Sequence, residues 1–177
     1  MTREQFEHAI RAAAAVLDVR DLLVIGSQAL HASVARDLPI EAARSVEVDV
    51  AVLDGDHDRM ADLIDGSIGE SSMFHGTFGY YAQGVTPRTA VLPEGWRSRL
   101  LRFETPATNG VVAWCLEPHD LWLSKAVAGR PKDLEFCKAL LDRRILSRAT
   151  LRERLGAITP LDPRVRTVVA DRIGSES

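Results

Sequence analysis

The sequence of 177 residues has no apolar run close to the roughly 20 residues that a membrane-spanning helix needs. Its first ten residues carry charges throughout and have no apolar signal-peptide core. Cysteine is scarce: Cys115 and Cys137 lie far apart in the chain, which favours two buried free thiols over a disulfide or metal pair. These absences predict a cytoplasmic protein without a membrane partner.

Two common nucleotide-binding motifs are also missing. Neither GxxxxGK[ST] nor GxGxxG occurs, which excludes P-loop and dinucleotide-binding proteins. The five histidines show no metal-ligand spacing. Residues 54–58 resemble the start of a calcium loop, but Arg59 stands where an EF-hand needs glycine, so we expect a turn and a helix cap there.

The composition is that of a globular chain with an uneven charge distribution. A hydrophobic content of 46% and a charged content of 27% are ordinary for one well-buried core. Residues 1–85 carry 6 basic and 14 acidic side chains, whereas residues 86–177 carry 16 basic and 11 acidic ones. An acidic half suits a metal site and a basic half suits phosphates or nucleic acid, although solvated surface charge gives the same division.

Hydrophobic periodicity predicts a mixed α/β half followed by a helical half. Strands are predicted at 22–25, 46–53 and 111–116, and the stretch 71–106 favours further strands and loops over helix. Helices are predicted at 3–17, 28–35, 58–64, 118–128, from 131 onward, at 149–155 and at 164–173.

An acidic pair stands on the clearest predicted strand. Glu47 and Asp49 alternate with valines, so both carboxylates project from one face, with Cα atoms about 6–7 Å apart. Two such carboxylates can converge on one divalent cation, and Mg²⁺ commonly binds one or two carboxylates plus substrate phosphates. The alternative is an edge strand with its acidic face in water.

A glycine-bearing bend precedes this strand by about 20 residues. A buried strand runs into Gly26-Ser27 and then into a predicted helix, so the backbone at Gly26 can approach a phosphate and Ser27 can donate to it. Alternatively, Gly26 only ends a strand and Ser27 only caps a helix. The bend and the acidic strand together, in this order, favour a nucleotide site.

These segments resemble the nucleotidyltransferase superfamily. The similarity lies in residues 23–30, around Gly26-Ser27, and in residues 46–50, around Glu47 and Asp49. The downstream stretch 120–134 is similar to the AbiEii-like branch, which includes type IV toxin–antitoxin nucleotidyltransferases and mycobacterial transferases acting on tRNA ends. The resemblance implies an α/β, polymerase-beta-like core with a mixed sheet at 1–116 and a helical C-terminal region at 117–177.

The same resemblance implies the roles of four residues in the first half. Gly26 and Ser27 would bind the phosphates of a nucleoside triphosphate. Glu47 and Asp49 would bind Mg²⁺ or Mn²⁺, with Asp49 also counted as catalytic. The bend here is Gly-Ser-Gln rather than a double glycine, and the acidic motif begins with Glu, whose extra methylene loosens the geometry. Glu104 is the one candidate for a third carboxylate.

Two further residues follow from the resemblance in the second half. Lys125 would bind the triphosphate and stabilise charge on the leaving pyrophosphate. Asp133 would complete the catalytic set as a base or as a group that orients the lysine. From the residues alone, Lys125 in an apolar helical segment is more typical of a lysine that extends its ammonium to water.

The acceptor is predicted to be an RNA 3′ hydroxyl, with tRNA favoured, and a toxin with a cognate antitoxin protein is the implied setting. Basic clusters at 97–102, 130–132 and 143–148, with Trp96 and Trp122 for base stacking, would form the RNA face. A solvated helix surface explains the same clusters. Transfer to a protein or an aminoglycoside-type small molecule, and a non-catalytic binding or antitoxin module, are the alternatives.

Overall fold

The computed structural model describes residues 1–34 and 37–174. The strands are β1 Asp21–Val24, β2 Glu47–Ala51, β3 Tyr81–Gly84, β4 Leu101–Phe103 and β5 Val112–Cys115. The α-helices are α1 Arg3–Leu17, α2 Ile40–Ala43, α3 His57–Ile68, α4 Met73–Phe78, α5 Pro118–Ala128, α6 Pro131–Asp142, α7 Arg148–Gly156 and α8 Pro163–Ile173. The 3₁₀ helices are Ser27–Ala32, Pro87–Thr89, Trp96–Arg99 and Pro106–Thr108. Among the described helices, none combines the length and apolar character needed to cross a membrane.

The strands form one mixed sheet in the order β3-β2-β1-β5-β4. β1 is parallel to β5 and antiparallel to β2, β2 is parallel to β3, and β4 is antiparallel to β5. The acidic strand β2 therefore has a neighbour on each side, so the edge-strand alternative is wrong. This mixed α/β sheet with C-terminal helices confirms the predicted fold class.

Helix starts follow from local chemistry that the sequence displays. Thr2 and Gln5 form a reciprocal capping box at the start of α1, whose face of Phe6 and Ile10 is buried. Asp56 caps α3 by accepting from the Arg59 amide, which confirms the predicted turn and cap. Helices α5, α7 and α8 begin and end within a residue or two of their predicted positions, and α6 begins at Pro131 as predicted.

Three predictions about local structure were wrong. The predicted helix at 28–35 is a 3₁₀ helix, Ser27–Ala32, preceded by Gly26 rather than capped by Ser27, and residue 35 lies outside the described residues. Helix α4, Met73–Phe78, lies in the stretch where no helix was expected; Ser72 caps it, and Gly79 ends it at φ +76. Helix α3 continues to Ile68, beyond the predicted end at 64.

The C-terminal helices share one hydrophobic core with the sheet. Leu121 and Leu123 of α5 are fully buried in the same cluster as Leu22 of β1. Trp122 is also fully buried, and its indole Nε1 donates to the Cys137 carbonyl at 2.9 Å. The prediction that Trp122 offers a stacking surface to RNA is therefore wrong, because its ring is part of the core.

Candidate functional site

An open cavity of about 550 Å³ lies between the sheet and the helices α5 and α6. The ends of β1, β2 and β3 supply one wall, and the helical region supplies the other. All six residues that the sequence predicted for a site line this cavity: Gly26, Ser27, Glu47, Asp49, Lys125 and Asp133. The fold thus brings together residues that are more than 100 positions apart in the chain.

The Asp49 carboxylate packs directly against the backbone of Gly26. A β-carbon built on Gly26 would lie 1.6 Å from Asp49 Oδ2 and 2.6 Å from Asp49 Cγ. The Gly26 backbone is extended, at φ −94 and ψ −171, a conformation open to any residue. Glycine is therefore needed at this bend for space and not for backbone freedom. The acidic side chain faces the bend, as the sequence analysis required.

Glu47 lies two residues earlier on the same face of β2 and is held from two sides. The Tyr81 hydroxyl donates to Glu47 Oε2 at 3.0 Å, and Lys132 Nζ lies 3.7 Å from Glu47 Oε1. Tyr81 is paired directly with Glu47 in the parallel register of β2 and β3. Burial and the hydrogen bond to Glu47, with the nearby acidic charges, together raise the pKa of Tyr81 to about 12, so the phenol keeps its proton as a donor.

The two carboxylates repel each other in a partly desolvated place. Burial raises the pKa of Asp49 above its ordinary value, and the Glu47 charge raises it further, while Lys125, Lys132 and Arg130 act in the opposite direction. A bound cation relieves such repulsion because it stabilises both ionised forms. The electrostatics of β2 therefore favour occupation by a positive charge.

Lys125 is fixed by a buried acid on the next helix. Asp133, which is almost fully buried, accepts from Lys125 Nζ at 3.1 Å and from Arg130 Nε at 2.5 Å. Burial alone would raise the pKa of Asp133, but the hydrogen bond from Arg130 and the charge of Lys125 outweigh it and lower the pKa. Asp133 is thus an ionised group that orients two cations, and this environment disfavours its role as a base.

The donor set fits a hard divalent cation that is shared with a substrate. The described residues contain no cluster of three histidine, cysteine, aspartate or glutamate side chains suited to a metal. Glu47 and Asp49 supply two carboxylates, a number that suits Mg²⁺ when substrate phosphates complete its coordination. On β3, the residue paired with Asp49 is the neutral Gln83, which also lines the cavity. Glu104 pairs with Arg102 instead and is not among the residues that line the cavity.

Several polar residues of the cavity were not predicted from the sequence. Arg44 and Gln83 line the cavity, and the Tyr81 hydroxyl donates a hydrogen bond to Glu47. Arg130 and Lys132 were assigned to an RNA face, yet they line the cavity beside Asp133. Arg130 and Lys132 could have been assigned to the cavity from the sequence, because they lie close to Asp133 in the chain. The other three depend on strand register and loop placement, which no sequence motif marks.

The remaining basic clusters are largely engaged within the chain. Arg97 pairs with Asp54 at 3.2 Å, and Arg99 Nε donates to the buried Asp120 at 2.9 Å. Arg143 donates to the Asp37 carbonyl at 2.7 Å. These contacts give the basic side chains structural roles, so the RNA face stays a prediction.

The cavity combines a mixed sheet, a glycine bend against paired carboxylates and a lysine held by a buried acid. This arrangement is typical of the nucleotide-dependent transferases. The chain belongs to the family described as nucleotidyltransferase of unknown function (DUF6036), which matches residues 4–156. Comparisons with curated proteins and with solved structures give no match. The family confirms the predicted superfamily, while the AbiEii-like branch stays a prediction.

Proposed function

We propose that the protein transfers a nucleoside monophosphate from a nucleoside triphosphate to an acceptor hydroxyl and releases pyrophosphate. The contact between the Asp49 carboxylate and the Gly26 backbone carries the proposal, because it sets an acidic pair beside a bend that a phosphate can approach. Glu47 and Asp49 would hold Mg²⁺ or Mn²⁺, which would neutralise phosphate charge when bound. Lys125, Arg130 and Lys132 supply positive charge from the opposite wall.

The transfer step would use Lys125 and Asp133 in different roles. The acceptor oxygen forms a bond to the α-phosphorus while the bond from that phosphorus to the bridging oxygen of the β-phosphate breaks. Lys125 stabilises the negative charge that develops on the departing pyrophosphate, and Asp133 keeps the ammonium in place. Because Asp133 is already paired with two cations, the proton of the acceptor hydroxyl passes to solvent in this scheme.

The favoured acceptor is the 3′ hydroxyl of an RNA, with tRNA first among RNAs. Support comes from the similarity of residues 120–134 to the AbiEii-like branch and from the basic balance of the second half. If that acceptor is essential to the cell, the protein would act as a cytoplasmic toxin, and a cognate antitoxin would be its protein partner. This setting is part of the proposal.

The acceptor is tested by labelling. Each of the four α-labelled nucleoside triphosphates is incubated with Mg²⁺, the protein and total tRNA, a protein extract or an aminoglycoside. Transfer of label to tRNA that is lost in Asp49→Asn supports the proposal. Lys138→Met is the matched control, because Lys138 lies on the exposed side of α6, where it pairs with Asp142. Label found in protein or antibiotic alone would overturn the RNA acceptor and leave the transfer chemistry standing.

A binding experiment separates an enzyme from a non-catalytic relative of the same fold. Calorimetry with a non-hydrolysable nucleoside triphosphate should show binding that requires Mg²⁺ and disappears in Asp49→Ala. A wild-type protein that binds no nucleotide in the presence of Mg²⁺ would remove the basis of the transferase proposal.

A further inference from the structure

The two oxygens of the Glu47 carboxylate have different surroundings. Oε2 accepts a hydrogen bond from the Tyr81 hydroxyl at 3.0 Å. Oε1 lies 3.7 Å from Lys132 Nζ, and Lys132 lines the cavity. Oε2 is therefore hydrogen-bonded to the protein, while Oε1 lies next to the positive charge of a largely exposed lysine.

A glutamate at this position needs such a restraint. Its side chain has one torsion more than that of aspartate, so an unrestrained carboxylate would spread over several positions. The Asp49 carboxylate is confined by its contact with Gly26, whereas the Glu47 carboxylate is held by Tyr81 and lies near Lys132. The hydrogen bond from Tyr81 thus fixes the end of the longer side chain.

Tyr81 is itself held firmly. It is paired with Glu47 in the register of β2 and β3, so the two side chains lie on the same face of the sheet. Only 8% of Tyr81 is exposed, and its ring packs against His75 of α4, with centroids 4.7 Å apart. Because the Tyr81 ring is buried and its strand is paired, the hydroxyl is preorganised to donate to Glu47.

We infer that Tyr81 is a positioning residue, which binds Glu47 Oε2 and thereby favours Oε1 as the glutamate oxygen that a divalent cation would bind. The inference rests on the proposed function, because it concerns the metal side of the same cavity. The inference also explains how a glutamate can serve at position 47. The hydrogen bond from Tyr81 restrains the longer side chain, which an aspartate would not need because it has one torsion fewer. Outer contacts of this kind commonly change metal affinity by about 10–100-fold when they are removed.

The test compares two neighbouring tyrosines. Mn²⁺ affinity is measured by electron paramagnetic resonance, with and without a non-hydrolysable nucleoside triphosphate. Tyr81→Phe should weaken Mn²⁺ binding by about tenfold. Tyr80→Phe is the matched control, because the Tyr80 hydroxyl contacts His8 at 2.6 Å and lies away from the acidic pair. Tyr80→Phe should leave the Mn²⁺ affinity within about twofold of wild type.

A double-mutant cycle separates positioning from a general structural effect. Aspartate at position 47 is too short to keep the same contact with Tyr81, so Tyr81→Phe in a Glu47→Asp background should change Mn²⁺ affinity by less than about twofold. A tenfold loss in both backgrounds would show that Tyr81 acts through folding and would overturn the inference. Far-UV circular dichroism and thermal melting accompany each variant as checks of folding.

The failures of the two proposals are distinguishable. If the wild-type protein binds Mn²⁺ and nucleotide but Tyr81→Phe binds Mn²⁺ equally well, the inference about Tyr81 is wrong and the proposed function stands. If the wild-type protein shows no metal-dependent nucleotide binding, the proposed function is wrong and the inference is overturned with it.

Discussion

At the scale of single residues, the cavity depends on steric and ionic fit more than on unusual backbone geometry. Gly26 has an extended backbone, and its missing side chain leaves the space that the Asp49 carboxylate fills. Asp133 has lost almost all of its contact with water, and two cations compensate for that loss. The contact of Gly26 with Asp49 and the contact of Lys125 with Asp133 each lead to a prediction that a substitution can check.

Gly26→Ala should displace the Asp49 carboxylate with only a modest loss of stability. The new β-carbon would overlap the end of a side chain that can rotate, so we expect about 1 kcal/mol of destabilisation and a loss of metal-dependent nucleotide binding. Adding Asp49→Ala removes the overlap and should restore the stability. Chemical denaturation measures the free energy of unfolding, and calorimetry measures nucleotide binding.

The matched control is Gly66→Ala. Gly66 lies inside α3, and a β-carbon there would meet nothing within 4 Å. Alanine favours a helix over glycine by about 0.5–1 kcal/mol, so this variant should be more stable than wild type. A stabilising effect of Gly26→Ala would contradict the packing argument.

Lys125→Met should reduce the rate of transfer. Arg130 still pairs with the buried Asp133 in this variant, so we expect a folded protein with some loss of stability. Methionine keeps the length of the side chain against the Phe136 ring but removes the charge. Loss of one preorganised group at developing charge costs about 10²–10³-fold in rate. The rate is measured from the release of pyrophosphate, and Lys138→Met is the control. If Lys125→Met keeps more than about a tenth of the wild-type rate, Lys125 has no part in the reaction.

At the scale of secondary-structure elements, a buried ionic network joins the start of α5 to α7 and to the 3₁₀ helix before β4. Asp120 is fully buried and accepts from Arg99 and from Arg154, and Arg154 also pairs with Glu117. Glu117 caps α5 by accepting from the His119 amide at 3.1 Å. The network fixes α5, the helix that carries Lys125, against the rest of the chain.

Glu117 should make stability depend on acid pH. Burial alone would raise its pKa, but hydrogen bonds and charges from His119 and Arg154 lower the pKa from 4.5 to about 2. The folded state thus prefers the ionised carboxylate, so its stabilisation is present above about pH 4.5 and is lost as the pH falls to about 2. At neutral pH, Glu117→Gln should cost about 2 kcal/mol.

The difference in the free energy of unfolding between wild type and Glu117→Gln should therefore become smaller as the pH falls from about 4.5 to about 2. Urea denaturation at a series of pH values measures it. Glu153→Gln, which changes an exposed carboxylate on α7, is the control and should give a small difference at every pH. A Glu117→Gln difference that stays constant across the window would contradict the assigned ionic role.

At the scale of the whole molecule, the hydrophobic core is continuous across the predicted boundary at 116/117. Leu116 of the β5 end and Leu121, Trp122 and Leu140 of the helical region are all fully buried in one cluster. Separating the parts would expose this surface to water on both sides. The division at 116/117 stays a prediction about sequence organisation, and it can be tested by unfolding.

We expect the chain to unfold in one cooperative transition. Far-UV circular dichroism reports the helices, and tryptophan fluorescence reports the surroundings of Trp96, Trp114 and the buried Trp122, so the two urea curves should coincide. A fragment of residues 1–116 should fail to give a folded spectrum because it lacks the helices that complete the core. Two separated transitions, or a folded fragment, would show that the helical region is an independent unit.

Much of the fold could be predicted because its signals are local. The two-residue period of β2 and the helical period of α1 each describe one face of one element. Pro118 and Gly129 mark the two ends of α5 directly. The stretch 71–106 was harder, because its elements are short and α4 is started by a serine cap amid turn-forming residues.

The sequence alone therefore indicated the candidates for a nucleotide site. The residues themselves pointed to a glycine bend and an acidic pair on one strand face, and the family resemblance added a lysine and an aspartate on later helices. Only the tertiary structure decided how they are used. It paired Tyr81 with Glu47, surrounded Asp133 with two cations and placed Trp122 in the core. The physical reason is that side-chain direction within an element follows from backbone geometry, whereas strand register and helix packing depend on contacts between residues that are distant in the chain.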